Sequence, residues 1–210
     1  MKFCMLHSRD YSPATITVPK VDHYCSLYGH SLVRRVGPTT FEGWERVPFL
    51  QELMASADEG TWLVWCEANV LFLREDFDLS GNIPEDKSFV FADSGTSPWL
   101  NAGFFALRVG LDSQELLSRC LATKNIGPVG FGSHKTIQEA FRGVIETDTL
   151  MKGRTARFSS SVIQGPKTEY SKTAFAAHLS TPGTSAQVLE GLKLVLEKGW
   201  GSVGLSLTRS

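Results

Sequence analysis

Three dense apolar runs constrain what this chain can fold into: Thr61 to Cys66, Phe89 to Ala92 and Trp99 to Leu107. Each is short and rich in aromatic and β-branched residues, and none offers a polar face to water. Such a run predicts a strand covered on both sides, as in the middle of a parallel sheet. The covering helices are legible between the runs. Val18 to Tyr28 places Val18, Val21 and Cys25 on one face, tolerates Pro19 near its start and meets Gly29 as a stop. Trp44 to Ala57 does the same with Val47, Leu50, Leu53 and Met54, has Glu45 in its first turn, and is broken by Gly60. Lys2 to Leu6 predicts a first strand that opens into the polar loop His7 to Pro13. His30 to Val36 predicts a second, partly exposed through Arg34 and Arg35.

The rest of the chain continues the alternation. Asp112 to Thr123 is helical through Leu116, Leu117, Cys120 and Leu121, with Asp112 or Ser113 as its cap. A Gly-rich loop, Ile126 to Ser133, precedes a helical stretch from His134 to Phe141. Thr149 to Ser171 is polar, basic and weakly patterned, which predicts a loop region with one or two short strands. Thr184 to Lys198 closes as an amphipathic helix through Val188, Leu189, Leu192, Val195 and Leu196. Alternating strands and helices predict an α/β fold with a largely parallel sheet. With 42% hydrophobic residues, 210 residues suffice for one sizeable core and a single domain.

Charge and motifs remove several function classes. A formal net charge of −1 gives no sequence-wide basic field, so no nucleic-acid partner is expected. Cys4, Cys25, Cys66 and Cys120 are widely spaced, without a CxxC pair or zinc spacing; Cys4 and Cys66 read as buried thiols in a reducing compartment. The start MKFCML is too short for a signal peptide's apolar region, and no run reaches the ~20 apolar residues of a membrane span, so a cytoplasmic protein without a transmembrane segment is expected. His7-Ser8-Arg9-Asp10-Tyr11 after the first strand contains no glycine, which argues against a dinucleotide-binding turn; the P-loop pattern is absent, and Gly130-Phe131-Gly132-Ser133 is not a nucleophile elbow.

Chemistry concentrates in WCEANVLFL, where Glu67 and Asn69 follow the run Thr61 to Cys66. Open α/β sheets collect ligands outside the carboxyl ends of their strands. Strand side chains at i and i+2 share a direction, so Glu67 and Asn69 are expected to address one ligand, with small Ala68 between them. Their oxygens suit a hard divalent cation, or a ribose and a phosphate bridged by one. The same pair also fits a strand that simply ends and turns.

Trp62 to Phe72 resembles the segment "Trp-hydrophobic-Asp-x-Asp-hydrophobic" of glycosyltransferases with the GT-A fold, and is most similar to that of family 34, the galactosyl- and mannosyltransferase type. Further matches follow the family's order. Tyr24 to His30 resembles its "Tyr-Cys-x-x-His-Gly-Tyr" helix end, and Gly43 to Pro48 its "Trp-x-Lys" helix start. Trp99 to Arg108 resembles its "Asn-x-Gly-hydrophobic-Phe" strand; Gln138 and Ala177-His178-Leu179 match more weakly. Together they cover roughly residues 2 to 196. Small soluble members occur in bacteria and in large DNA viruses of algae.

The resemblance implies a single GT-A, Rossmann-like domain with a central, mostly parallel mixed sheet, its nucleotide-binding half over about residues 1–95 and its acceptor side over about 96–210. It implies metal-assisted, retaining transfer from a nucleotide sugar, a UDP-hexose or UDP-deoxyhexose, to a glycan acceptor, with Mn²⁺ or Mg²⁺ held by Glu67, Asn69 and His178. His178, behind an apolar run, reads equally as a packed core histidine. Arg46 takes the family's Lys position, as an anion or base contact or as a surface charge. His7, Ser8, Asp10 and Tyr11 would receive the base, with Tyr11 stacking on uracil and Asp10 accepting its N–H. Asn101 and Gly103 would line the sugar site, Asp93 would bind sugar hydroxyls and Gln138 would lie near the anomeric centre. His134 and Lys135 read as phosphate contacts or as a solvated helix start. The motif departs from the family's: with Glu67 and Asn69 for two aspartates it carries about one negative charge, which predicts weaker metal binding. A non-catalytic nucleotide-sugar or glycan-binding module on the same fold is the rival reading. A sugar nucleotidyltransferase would need a Gly-rich basic loop after its first strand, which is missing.

Overall fold

The computed structural model of the chain describes residues 1–37, 43–93, 100–124, 136–159, 162–164, 174–179 and 184–197. The strands are β1 (Lys2–Ser8), β2 (Ser31–Gly37), β3 (Trp62–Cys66), β4 (Val70–Phe72), β5 (Phe89–Asp93), β6 (Leu100–Arg108), β7 (Thr155–Phe158), β8 (Ile163–Gln164) and β9 (Ala176–His178). The helices are α1 (Ala14–Leu27), α2 (Arg46–Ala55), α3 (Leu111–Ala122), α4 (Ile137–Thr147), α5 (Thr149–Gly153) and α6 (Ser185–Glu197).

The predicted α/β architecture is present, with a six-stranded sheet in the order β2-β1-β3-β6-β5-β7. β2, β1 and β3 are parallel, as are β5 and β7, while β6 runs antiparallel to both its neighbours β3 and β5. Residues 94–99 link β5 to β6, a connection too short for the crossover of a dozen or more residues that a parallel return needs, so β6 must run backwards. The three apolar runs are β3, β5 and β6, buried along almost their whole length. α2, α3 and α4 cover one face of the sheet and α1 the other, through clusters centred on Trp65, Phe105 and Phe141 and on Phe3, Tyr24 and Phe104.

Several elements differ from expectation for local reasons. α1 begins at Ala14, earlier than Val18, because Pro13 already sits at φ −57° and enters the helix without rearrangement; Pro19 therefore lies inside it. Neither Asp112 nor Ser113 caps α3, which starts after Gly110; Asp112 instead accepts from Ser88 Oγ at 2.6 Å. α5 was not expected, and forms because the Asp148 side chain accepts from Met151 N–H at 3.0 Å. A second, three-stranded sheet, β4-β9-β8, was not expected either; its strands hold two or three residues, too few to show a period. α6 covers it through Leu71, Ala177, Leu179, Val188, Leu192 and Val195.

α4 is secured by a capping box. Thr136 Oγ1 accepts from Glu139 N–H at 3.2 Å, and Glu139 Oε2 accepts from Thr136 N–H at 3.0 Å. Thr136→Ala should cost about 1 kcal/mol, seen as a lower urea midpoint at unchanged m. All four cysteines are free and buried, and burial pushes the Cys4 thiol up to about 12. Among the described residues, no helix is long and apolar enough to cross a membrane.

Candidate active site

The strands β1 and β3 are parallel neighbours, β1 running on to Ser8 past the level of Cys66, and a cleft of about 220 Å³ opens at their carboxyl ends. Its lining is Leu6, His7, Ser8, Tyr11, Gly43, Arg46, Trp65, Glu67, Ala68 and Asn69. Glu67 to Asn69 is not extended strand: Val70 N–H donates to Glu67 O at 2.9 Å, closing a tight turn between β3 and β4. The alternation argument for Glu67 and Asn69 therefore fails, yet the turn still presents both to the cleft. Its backbone is held from three sides. Thr17 Oγ1 of α1 donates to Ala68 O at 2.7 Å, Leu179 N–H to Asn69 O at 3.1 Å and Glu67 N–H to Gly103 O at 2.9 Å.

Glu67 is the centre of a polar network. Arg46 Nη2 donates to its Oε1 at 2.7 Å, and His178 Nε2 lies 3.1 Å from its Oε2. On the far side of the imidazole, Asn101 Nδ2 is 3.0 Å from His178 Nδ1, and Asn101 Oδ1 accepts from Gly103 N–H at 2.8 Å. A backbone N–H can only donate, which fixes the Asn101 amide with its NH₂ towards His178. Nδ1 must then accept, so Nε2 carries the proton and donates to Glu67. Burial raises the Glu67 carboxyl, but the Arg46 charge and the His178 hydrogen bond outweigh it and leave the carboxyl at about 2, fully ionised at neutral pH.

The path of β6 makes this contact possible. Opposite β5 its register jumps between Phe91 and Ala92, whose partners are Phe105 and Asn101, so Ala102, Gly103 and Phe104 bulge from that ladder. A Cβ on Gly103 would lie 2.1 Å from His178 Cε1, so glycine is required for the imidazole to reach Glu67. The bulge also turns Ala102 O towards Arg46 Nη1, at 2.7 Å, while Ala102 N–H donates to Gln138 Oε1 at 3.0 Å. Gly43, at φ +89°, supplies its carbonyl to Arg46 Nε at 2.7 Å, and the guanidinium lies 4.8 Å over the Trp65 ring.

Six buried side-chain polar atoms lack a partner among the described residues, and three of them, His7 Nε2, Trp65 Nε1 and Asn69 Oδ1, belong to residues lining the cleft. Unpaired buried polar atoms are costly and rare in a folded protein, so their concentration here marks the cleft as a place for a polar ligand. His7 Nδ1 faces Ser8 O at 2.9 Å and must donate to it, which leaves Nε2 as an acceptor.

The residues expected to hold a divalent cation do not form a ready cage. Both Glu67 oxygens are engaged, His178 turns its lone pair to Asn101, and Asn69 offers one neutral amide oxygen. Among the described residues, no three His, Cys, Asp or Glu side chains group closely enough to hold a metal. The donor set as arranged therefore does not fit Mn²⁺ or Mg²⁺.

The remaining expected residues lie outside the cleft lining. Asn101, Gly103 and His178 stand behind Glu67, and Gln138 behind Arg46. Asp10 is exposed in the turn after β1. Asp93 ends β5 at the same sheet edge, 3.8 Å from Arg157. His134 and Lys135 fall outside the described residues. Sequence reasoning missed Trp65, whose apolar strand gave no sign of a cation above it, and Thr17, a helix residue distant from the motif.

Comparison with solved structures decides the fold. The chain superposes with a TM-score of 0.70 on a glycosyltransferase involved in the glycosylation of the major capsid of PBCV-1, at 15% identity, over 93% of this chain and 100% of the other. This is the GT-A glycosyltransferase fold. Glycosyltransferase GlyE of Streptococcus pneumoniae matches with a TM-score of 0.55 at 10% identity, over 86% of this chain and 55% of that one. Galactosyltransferase LgtC, solved with donor and acceptor sugar analogues, matches with a TM-score of 0.50 at 11% identity, over 90% and 94%. In sequence, the chain is 30% identical over 125 residues to "Probable glycosyltransferase 2" of Oryza sativa, a match covering 55% of this chain. It spans about 25% of the length of that relative. No protein-family model matches the sequence.

Proposed function

We propose that the cleft binds a nucleotide diphosphate sugar, UDP-linked by family resemblance, and that the protein transfers the sugar to a glycan acceptor. The observation that carries this reading is that three residues lining a cleft at the carboxyl ends of β1 and β3, His7, Trp65 and Asn69, each carry a buried polar atom without a partner among the described residues, Nε2, Nε1 and Oδ1. His7 and Tyr11 are the groups for the base: the histidine nitrogen as acceptor, the tyrosine ring as stacking partner. Burial and the nearby Glu67 charge raise the Tyr11 hydroxyl to about 12, so it remains a donor at neutral pH. Glu67, Ala68 and Asn69 face the ribose and diphosphate.

Transfer is retaining in this reading, with Gln138, whose Oε1 accepts from Ala102 N–H in the β6 bulge, assigned near the anomeric centre. The bond from the anomeric carbon to the phosphate oxygen breaks and its electron pair stays on the diphosphate. The acceptor hydroxyl oxygen bonds to that carbon, and its proton ends on the released diphosphate. Four free thiols suit a reducing compartment such as a bacterial or host cytoplasm, and a capsid-modifying structural relative suits a surface glycan as acceptor. The loss of one motif charge at Asn69 favours a second reading, a sugar-nucleotide-binding module without turnover.

Tyr11→Ala should weaken binding of the nucleotide about tenfold or more, since stacking a base on an aromatic ring contributes about 1–3 kcal/mol, measurable by calorimetry. Incubation with labelled UDP-, GDP- and dTDP-sugars separates the two readings. Slow release of the nucleoside diphosphate is the outcome expected of a transferase; binding without turnover across a range of acceptors selects the module.

A further inference from the structure

We propose that Arg46, rather than a divalent cation, neutralises the donor's diphosphate in this cleft, so that nucleotide binding is independent of metal. The inference rests on the nucleotide-sugar reading of the cleft and assigns its counter-charge.

The first ground is charge. A two-carboxylate motif carries −2 and is balanced by a dication. Here the motif carries one carboxylate, Glu67, and the balancing charge is the guanidinium 2.7 Å away. His178 is the neutral tautomer fixed by Asn101 and Gly103, and Asn69 is an amide, so the cluster already sums to zero. A dication added to it would be repelled by Arg46 and would displace bonds that Glu67 already makes.

The second ground is geometry. Arg46 is held by three acceptors, Gly43 O on Nε, Ala102 O on Nη1 and Glu67 on Nη2, and lies against the Trp65 ring. A guanidinium has five N–H groups. These bonds use one on each nitrogen, which leaves one N–H on Nη1 and one on Nη2 to donate to phosphate oxygens. The cation is fixed before the ligand arrives, so little ordering remains when the diphosphate binds. Arg46 also lines the cleft together with Glu67, Ala68 and Asn69, the groups expected beside the diphosphate.

A surface ion pair would have none of these features: Arg46 is 8% exposed and lines the cleft. Glu67 in this account positions the guanidinium and tempers its charge, which sets the sign of the test. Glu67→Gln should release the Arg46 charge and tighten diphosphate binding, whereas a metal ligand lost at the same position would weaken it.

The experiment titrates UDP, GDP and dTDP into the full chain, once in EDTA and once in saturating Mn²⁺, for the wild type, Glu67→Gln and Arg46→Lys. At least one nucleotide should bind in EDTA, with an affinity that Mn²⁺ changes less than about threefold. Glu67→Gln should bind about tenfold more tightly in EDTA and Arg46→Lys about tenfold more weakly, because the ammonium keeps the charge but loses the planar guanidinium. Thermal melts establish that each variant is folded; if one is not, the wild-type comparison alone decides. Binding that needs Mn²⁺, or weaker binding by folded Glu67→Gln, overturns the Arg46 assignment and leaves the nucleotide-sugar reading standing. No binding in either condition overturns both.

Discussion

Gly103→Ala is expected to disable the cleft and to lower the melting temperature by about 5–10 °C. The added methyl would meet His178 Cε1 at 2.1 Å and both ring nitrogens at 2.6 Å, and the ring is 4% exposed, so it has no open side to move into. Displacing it strips Glu67 Oε2 of its donor and leaves Asn101 Nδ2 facing a void. Nucleotide binding should fall with stability, because the turn carrying Glu67 leans on the same bulge through Gly103 O. A control at Gly81, where a Cβ meets nothing within 4 Å, should leave both measurements close to wild type. Wild-type melting and binding by folded Gly103→Ala would show that the imidazole is not held where it is described.

Arg46→Ala should cost about 3–5 kcal/mol at pH 7, since it leaves the Glu67 carboxylate partly buried without its cation. The pH dependence identifies the cause. The folded Glu67 carboxyl lies at about 2, below its ordinary 4.5. A depressed carboxyl contributes stability above its unfolded value and loses it as pH falls through 4.5 towards 2. The gap between wild type and Arg46→Ala should therefore be widest at neutral pH and narrow through that window. Urea unfolding at pH 7 and near pH 3.5 measures it; a gap of constant size would place the arginine's contribution in packing over Trp65 instead of in its charge.

The sequence made the main sheet legible because β3, β5 and β6 are long enough to lack any polar face, and α2 and α6 because their apolar positions repeat. It could not reveal β4 and β9, which hold three residues each and owe their pairing to contacts far along the chain, such as Val70 with His178, whereas the one or two short strands expected over Thr149 to Ser171 are present as β7 and β8. The site divides in the same way. Glu67 and Asn69 were visible as polar residues where an apolar strand ends, and Arg46 and the His7 to Tyr11 segment through the resemblance to the family's motifs. That His178 donates to Glu67 depends on the Asn101 amide and the missing Cβ of Gly103, and no spacing rule records that dependence. The turn at Glu67 to Asn69 defeated the alternation rule because a hydrogen bond closes it, from Val70 N–H to Glu67 O.

Calorimetric titration of the full chain with UDP-glucose, UDP-galactose, GDP-mannose and dTDP-glucose tests the central claim, that this cleft is a nucleotide-sugar site. One of them should bind at a single site and lose that affinity in Tyr11→Ala. Absence of binding by all four to the folded protein, with and without Mn²⁺, would contradict it.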